Sequence, residues 1–200
     1  MPLTSGSILQ GLRRRKKQIS LTLAVFFTNL AVDRAGKYLA LRFLRGRGAV
    51  RLLRDSVMLY FTENTGAFLS MGAHWSLPVK RMVLLYLPLL FCAALLLHLL
   101  FRERLGSRII VLAAIAGGGV SNLLDRILND FRVIDFLYFG IGPLHTGILN
   151  PADLSVTLGA ALLLILELRL SFKALKRPVA RRPALQRPAV RQTRDSGGDD

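Results

Sequence analysis

Long uncharged stretches alternate with short charged segments along this chain of 200 residues. The most apolar stretch, residues 82–101, contains twenty residues without a formal charge, interrupted only by Pro88 and His98. At 1.5 Å per residue, a helix of this length reaches about 30 Å, the thickness of the hydrocarbon core of a bilayer. The pattern therefore predicts a transmembrane helix.

Three further stretches fit this description less completely. Residues 109–124 are uncharged and continue into Asp125 and Arg126, and residues 154–166 follow a helix-start signal at residues 150–153. The fourteen uncharged residues 19–32 need a charged continuation to about residue 41 to cross a bilayer. We therefore predict an all-α membrane protein in which one domain, residues 19–170, has four transmembrane helices, at about 19–41, 82–101, 109–128 and 152–170.

The first stretch has an alternative interpretation, because five basic residues at positions 13–17 precede it, as in a cleavable signal peptide. No A-x-A cleavage site follows, and the helical pattern continues past Val32. These features favour a helix that stays in the mature protein.

Composition supports a membrane protein. Apolar residues make up 52% of the chain and mean hydropathy is +0.42, which excludes overall disorder and disfavours a soluble nucleic-acid-binding protein despite the formal charge of +16. Basic residues collect in residues 1–18, in the loop 102–108 and in a proline-rich tail, 171–200, that we expect to be disordered. Four helices place these segments on one side, which should be cytoplasmic. The exterior loops, about 42–81 and 129–151, are not free of arginine, so charge favours this topology without proving it.

The basic tail has two interpretations. Attraction to anionic lipid headgroups is the simpler one. An RNA-binding arm has only charge to support it, and we expect no nucleic-acid partner.

The first exterior loop contains a candidate strand, because residues 56–62 are rich in β-branched and aromatic side chains. The turn signal Asn64-Thr65-Gly66 follows it. We predict a small exterior β element between helices 1 and 2, resting on the membrane surface.

Ionisable residues at membrane depth are costly and therefore informative. They gather at the exterior helix ends, as Asp33 with Lys37, Asp125 with Arg126, Asp135, and Asp153. Helical spacing also places Gly118, Asn122 and Arg126 on one stripe. Close helix packing would explain the glycine but not the polar residues, which favours a polar site.

Asp135 and Asp153 together suggest a catalytic pair of carboxylates. Asp153 could merely cap the fourth helix, and Asp135 could simply face water at the interface. Two neighbouring carboxylates, however, tend to share one proton and can activate a water molecule and protonate a leaving amine, as in aspartic peptidases. A metal site is not expected, because Cys92 is the only cysteine and the three histidines lie far apart in the sequence.

Five ordered motifs resemble the lipoprotein signal peptidases (signal peptidase II) of bacteria over residues 20–170. Each motif is weak alone, but all five in order on four predicted helices are highly specific. The motifs are Asp33-Arg34-Ala35-Gly36-Lys37, residues 63–70 (ENTGAFLS), the segment 117–126 ending Asn122-Leu123-Leu124-Asp125-Arg126, Val133-Ile134-Asp135-Phe136, and Asn150-Pro151-Ala152-Asp153.

The resemblance implies an aspartic endopeptidase of the bacterial inner membrane. It would remove signal peptides from prolipoproteins by cutting before a diacylglyceryl-modified cysteine, without a cofactor, and globomycin-type peptides would block it. Asp135 and Asp153 would be the catalytic pair, with Asp33 and Lys37 supporting it from the first helix. The residues implied to bind substrate are Asn64, Gly66, Gly118, Asn122, Asp125, Arg126, Asn150 and Ala152. We expect membrane phospholipid as a further partner, a monomer, cytoplasmic termini and a site at the exterior face.

Two departures from the family pattern stand out. Gly36 occupies a position where Thr or Ser is usual, and Ala67-Phe68-Leu69-Ser70 replaces the commoner Ala-Ala-Phe-Ser. Two rival functions also remain open: a small transporter or channel subunit that uses the intramembrane polar residues, and a structural membrane anchor that displays the basic tail.

Overall fold

A computed structural model describes residues 5–53, 56–67, 70–101 and 108–175. Its helices are α1 Ser5–Phe43, α2 Leu77–Lys80, α3 Leu87–Phe101, α4 Arg108–Leu128 and α5 Pro151–Leu175. A π-helical turn, Arg81–Tyr86, joins α2 to α3, so Leu77–Phe101 forms one continuous helical segment.

Three of the described helical segments are long and apolar enough to cross a membrane: Leu77–Phe101, Arg108–Leu128 and Pro151–Phe172. The chain is therefore a mostly helical membrane protein. The longest helix, α1, is not among the three, since charged residues such as Asp33, Arg34 and Lys37 interrupt its apolar stretch. A fourth membrane-spanning helix remains a prediction.

Three helix ends lie beyond their predicted positions, and one is the start of the second transmembrane segment, at Leu77 instead of residue 82. Helix α1 begins at Ser5, well before residue 19, and includes the basic cluster, because Arg and Lys are good helix formers and no proline interrupts them. Helix α5 continues past residue 170 to Leu175. The rest of the tail and the loop 102–107 lie outside the described residues.

A four-stranded antiparallel sheet lies at one end of the helices, in the order β1-β2-β3-β4. The strands are β1 Val50–Leu52, β2 Val57–Asn64, β3 Val133–Ile141 and β4 Leu144–His145. The prediction of a β element only between the first two helices was therefore too narrow, because β3 and β4 come from the second exterior loop. The β-branched and aromatic side chains around Asp135 favour a strand, and β2 completes it by pairing Thr62 with Asp135.

Helix α4 is central and packs against α1, α3 and α5. Glycines make the close approaches possible: a Cβ atom on Gly117 would lie 2.6 Å from the backbone oxygen of Phe26 in α1, and one on Gly118 would lie 2.8 Å from that of Ala152 in α5. Helix packing thus accounts for the glycines of this segment. Its Asn122, Asp125 and Arg126 side chains instead enter a polar cluster at the end of the bundle that carries the sheet.

Candidate active site

A groove of about 430 Å³ runs between the helices at the end that carries the sheet. Apolar side chains form most of its walls, and its polar side chains come from α4 and α5. It is lined by Pro88, Gly119, Asn122, Leu123, Arg126, Asp153, Val156 and Thr157. An apolar groove with one polar region suits a ligand that has an apolar body and one reactive polar group.

Asn150 connects the two candidate catalytic carboxylates. Its side-chain amide donates a hydrogen bond of 2.6 Å to Asp135, and its backbone N–H donates one of 3.2 Å to Asp153. In return, the backbone N–H of Asp153 donates to the side-chain oxygen of Asn150 at 2.8 Å. This reciprocal pair is a capping box at the start of α5. Asn150 and Asp153 therefore both cap α5 and help to form the candidate site. Asp153 can be a helix cap and a site residue at the same time.

A loop after β2 provides the second donor to Asp135. The side-chain amide of Asn64 donates to Asp135 at 3.1 Å, while its side-chain oxygen accepts the backbone N–H of Gly66 at 2.9 Å. Arg126 in turn donates to the carbonyl of Gly66 at 2.9 Å. Gly66 is confined, because a Cβ atom there would lie 2.5 Å from the carbonyl oxygen of Met71. The loop is thus tied to both Asp135 and the groove.

Lys37 stands at the centre of a buried polar network. Its ammonium group lies 2.7 Å from Asp33 and 2.8 Å from Asp125, and it donates to the side-chain oxygen of Asn122 at 2.8 Å. The side chains of Lys37, Asp33 and Asp125 are fully buried. Asn122 then donates its amide to Asp153 at 2.9 Å. One ammonium group therefore fixes the orientation of the amide that holds a candidate catalytic carboxylate.

Asp33 and Asp125 hold the segments that carry the pair. Asp33 accepts the backbone N–H of Ala152 at 2.9 Å, which anchors the first turn of α5. Asp125 accepts the backbone N–H of Ile134 at 3.1 Å, which anchors β3 beside Asp135. A buried carboxylate is stable only when it is well paired. Several donors to Asp33 and to Asp125 meet this requirement.

The environment of Asp135 favours its protonated form. Its side chain is only 2% exposed. Burial raises the pKa of Asp135 to about 7, and the charge of Asp153 adds to the rise. Hydrogen bonds from Asn64 and Asn150 act in the opposite direction. Near neutral pH this carboxyl group can therefore hold or release a proton, as a general acid–base group must.

Most of the predicted site residues come together in this network. It joins Asp33, Lys37, Asn64, Asn122, Asn150, Asp135 and Asp153, with Gly66 and Arg126 attached. Gly118 and Ala152 face one another between α4 and α5, in helix packing. Asp125 contacts Arg34, Lys37 and the backbone of β3, and it does not line the groove. The assignment of Gly118, Ala152 and Asp125 to substrate binding stays a prediction.

Sequence reasoning missed two supporting residues. Arg34 forms an ion pair with Asp125, and the Ser121 hydroxyl donates to Asp33 at 2.6 Å. Both lie inside the five motifs, Arg34 beside Asp33 and Ser121 beside Asn122. A helical-wheel comparison of Asp33, Arg34 and Lys37 with Ser121 and Asp125 could have suggested that these residues face one another.

Comparison with known proteins identifies the family. Residues 25–169 match the family described as signal peptidase (SPase) II. This chain belongs to the signal peptidase II family. It is therefore a membrane peptidase that acts on signal peptides, and the transporter and anchor hypotheses are not favoured.

Similar proteins include several lipoprotein signal peptidases. That of Treponema denticola is 31% identical over 130 residues, which cover 63% of this peptidase and 75% of the relative. That of Chlorobium phaeovibrioides is 34% identical over 157 residues, which cover 70% and 87%. That of Pelodictyon phaeoclathratiforme is 29% identical over 162 residues, which cover 76% and 92%.

Solved structures agree in fold. A bacterial membrane enzyme determined by the in meso method superposes with a TM-score of 0.66 at 18% identity, covering 80% of this peptidase and 94% of that chain. A second, determined by the same method, has a TM-score of 0.63 at 20% identity and covers 74% and 92%.

Proposed function

We propose that this signal peptidase is an aspartic endopeptidase that cuts prolipoproteins just before a diacylglyceryl-modified cysteine. Removal of the signal peptide from prolipoproteins follows from the family and from the names of its relatives. The observation that carries the aspartic mechanism is Asn150, which forms hydrogen bonds with both Asp135 and Asp153, and Asp153 lines the polar region of the apolar groove.

The two carboxylates divide the chemistry. Asp153 receives N–H donors from Asn122 and Asn150 and lies in the first turn of α5, where the helix dipole favours negative charge. It acts as the base that removes a proton from water. Asp135 holds a proton and donates it to the oxygen of the scissile carbonyl as the water oxygen bonds to the carbon.

Collapse of the tetrahedral intermediate completes the reaction. The carbonyl forms again, the C–N bond to the cysteine breaks, and its nitrogen takes the proton that Asp153 removed from water. The proton on the intermediate's hydroxyl returns to Asp135. Both carboxyl groups thereby recover their initial protonation states, and the chemistry consumes water alone, without a cofactor.

Arg126 is the best-placed group to bind the substrate backbone. It lines the groove, and two of its nitrogens donate to the carbonyls of Gly66 and Asn122. Its Nε–H is buried and has no hydrogen-bond partner within the described part of the chain. A buried unpaired donor is costly, so a small rotation of the guanidinium group that turns its Nε–H to a peptide carbonyl in the groove would be favourable.

The arrangement of the helices supports the exterior location of the site. Gln18 donates to the carbonyl of Leu99 at 2.9 Å, so the basic cluster at residues 13–17 lies near the end of α3 that precedes the basic loop. Asp135 and Asp153 lie at the opposite end. With four membrane-spanning helices, the positive-inside rule places both termini in the cytoplasm and the site at the exterior face of a bacterial inner membrane.

Two further parts of the proposal concern partners. Globomycin-type peptides would compete with substrate for the groove and the carboxylate pair. Asn64, Asn122 and Asn150 of a single chain supply donors to both carboxylates, so one copy is sufficient to form the site and we propose a monomeric enzyme.

Cleavage of a diacylglyceryl-modified prolipoprotein, followed as a shift in gel mobility, tests the proposal. Asp135→Asn and Asp153→Asn should each lower turnover by about a hundredfold or more, because Asn cannot exchange a proton with water or amine. Asp130→Asn is the matched control, since Asp130 is exposed in the turn between α4 and β3. Normal cleavage by either pair variant, with fold retained, would refute the aspartic mechanism.

A further inference from the structure

A basic segment runs from the last residues of α1 through β1, at the end of the bundle that carries the carboxylate pair. We call residues 42–53 the arginine segment. Four of its residues, Arg42, Arg45, Arg47 and Arg51, are exposed, and the sequence contains no acidic residue from 38 to 54. The exterior loops of a membrane protein usually carry few basic residues, so this concentration on the proposed exterior side calls for a favourable partner.

The same segment exposes apolar side chains. Phe43 is 54% exposed, Val50 44%, Leu52 43% and Leu53 76%. Val50 and Leu52 share one face of β1, while Arg51 is on the other, because side chains alternate along a strand. The arginine segment is therefore amphipathic, a property typical of chain segments that lie in the membrane interface.

Contacts among the described residues offset only part of the charge at Arg45. Arg45 pairs with Glu63 at 3.3 Å, but the same carboxylate also pairs with Arg132 at 2.8 Å. One negative charge is thus divided between two guanidinium groups, and both are about half exposed. An external anion can approach them.

The position of the segment indicates which anion it meets. It begins five residues after Lys37, which contacts the site, and α1 exposes Tyr38 and Phe43 near its end. Tyrosine side chains such as that of Tyr38 are typical of the level of lipid headgroups. At that level, the abundant anions are the phosphates of phospholipids.

We propose that the arginine segment binds the headgroups of anionic phospholipids while Val50, Leu52 and Leu53 enter the interface. The sheet gives this contact a route to the site, because β1 pairs with β2 and β2 pairs with β3, which carries Asp135. The proposal goes beyond the peptidase activity, and it does not depend on which residues catalyse the reaction.

Thermal denaturation in neutral detergent tests it without reference to activity. Trp75 is the only tryptophan of the chain and reports unfolding by its fluorescence. Phosphatidylglycerol should raise Tm with concentration, as any ligand of the native state does, and phosphatidylcholine should not. Arg42→Gln/Arg47→Gln should need roughly ten- to thirtyfold more phosphatidylglycerol for the same rise, since each arginine near an anionic surface contributes about 1 kcal/mol.

The matched control, Arg13→Gln/Arg14→Gln, removes the same charge from the other end of α1 and should keep the wild-type response. Added NaCl should weaken the response of the wild type, because exposed charges are screened. Three results would overturn the proposal: an unchanged response in Arg42→Gln/Arg47→Gln, an equal loss in the control, or an equal Tm rise with phosphatidylcholine or inorganic phosphate.

Discussion

Replacing Asp135 with Asn should change the stability of the peptidase in opposite directions at low and high pH. The pKa of Asp135 is about 7 in the folded protein, against a usual value of 3.8. Between these two pH values the folded state binds a proton that the unfolded state has released. The stability of the wild type therefore falls as pH rises toward 7, whereas the uncharged amide of the variant contributes no such loss.

The size of the expected stability difference follows from the slope of stability against pH and from the hydrogen bond that the variant loses. Each pH unit in this window changes stability by about 1.36 kcal/mol, so from pH 5 to pH 8 the wild type loses about 3 kcal/mol relative to the variant. Against this, Asn64 and Asn150 each donate to one oxygen of Asp135, and an Asn side chain offers only one oxygen. The missing acceptor costs about 1–3 kcal/mol at any pH. The variant should be less stable than the wild type at pH 5 and equally or more stable at pH 8.

Denaturation in detergent, followed by Trp75 fluorescence at both pH values, measures this difference. Asp130→Asn provides the reference for an exposed acid and should show little dependence on pH relative to the wild type. If the stability difference between Asp135→Asn and the wild type stays constant from pH 5 to pH 8, the carboxyl group is not held in its protonated form. The reasoning about the pair would then be wrong.

Three further substitutions test the network. Lys37→Met should destabilise the fold by about 3–5 kcal/mol, seen as a lower Tm, because it leaves buried Asp33 without its cation. Arg126→Ala should still fold, with Tm lowered by the loss of its hydrogen bonds to Gly66 and Asn122, and should weaken substrate handling roughly ten- to a hundredfold in cleavage kinetics; wild-type kinetics would contradict its role in the groove. Gly36→Val should reduce turnover, because a Cβ atom there would lie 2.8 Å from the Phe136 ring beside Asp135. Phe136→Leu in the same chain should restore part of that turnover, and equal turnover in all three proteins would show that this contact is unimportant.

Some of the site was predictable because local rules and chemistry point to the same residues. The sequence Asn150-Pro151-Ala152-Asp153 satisfies the preferences of a helix start, and the structure shows the capping box those preferences predict. Short-range patterns of this kind depend on neighbours in the sequence.

Other features depend on distant contacts and could not be predicted in the same way. Strand β3 exists because β2, about 70 residues earlier, pairs with it. The orientation of Asp125 is set by Arg34, Lys37 and the backbone of Ile134, and none of these contacts follows from its position on α4. The close contact between Gly36 and the Phe136 ring likewise forms only when α1 packs against β3.

The buried network around Lys37 also has a consequence for how the protein is made. Its partners on α4 are translated long after α1, since Asp125 follows Lys37 by 88 residues. At roughly 5–20 residues per second, a ribosome needs several seconds to add them. During that interval the α4 partners of Lys37 are absent from an inserted α1. Asp33 lies one turn from Lys37, close enough to neutralise its charge within the same helix. In the proposed topology, the ion pair between Asp33 and Lys37 stabilises α1 in the membrane until α4 is inserted and packs against it.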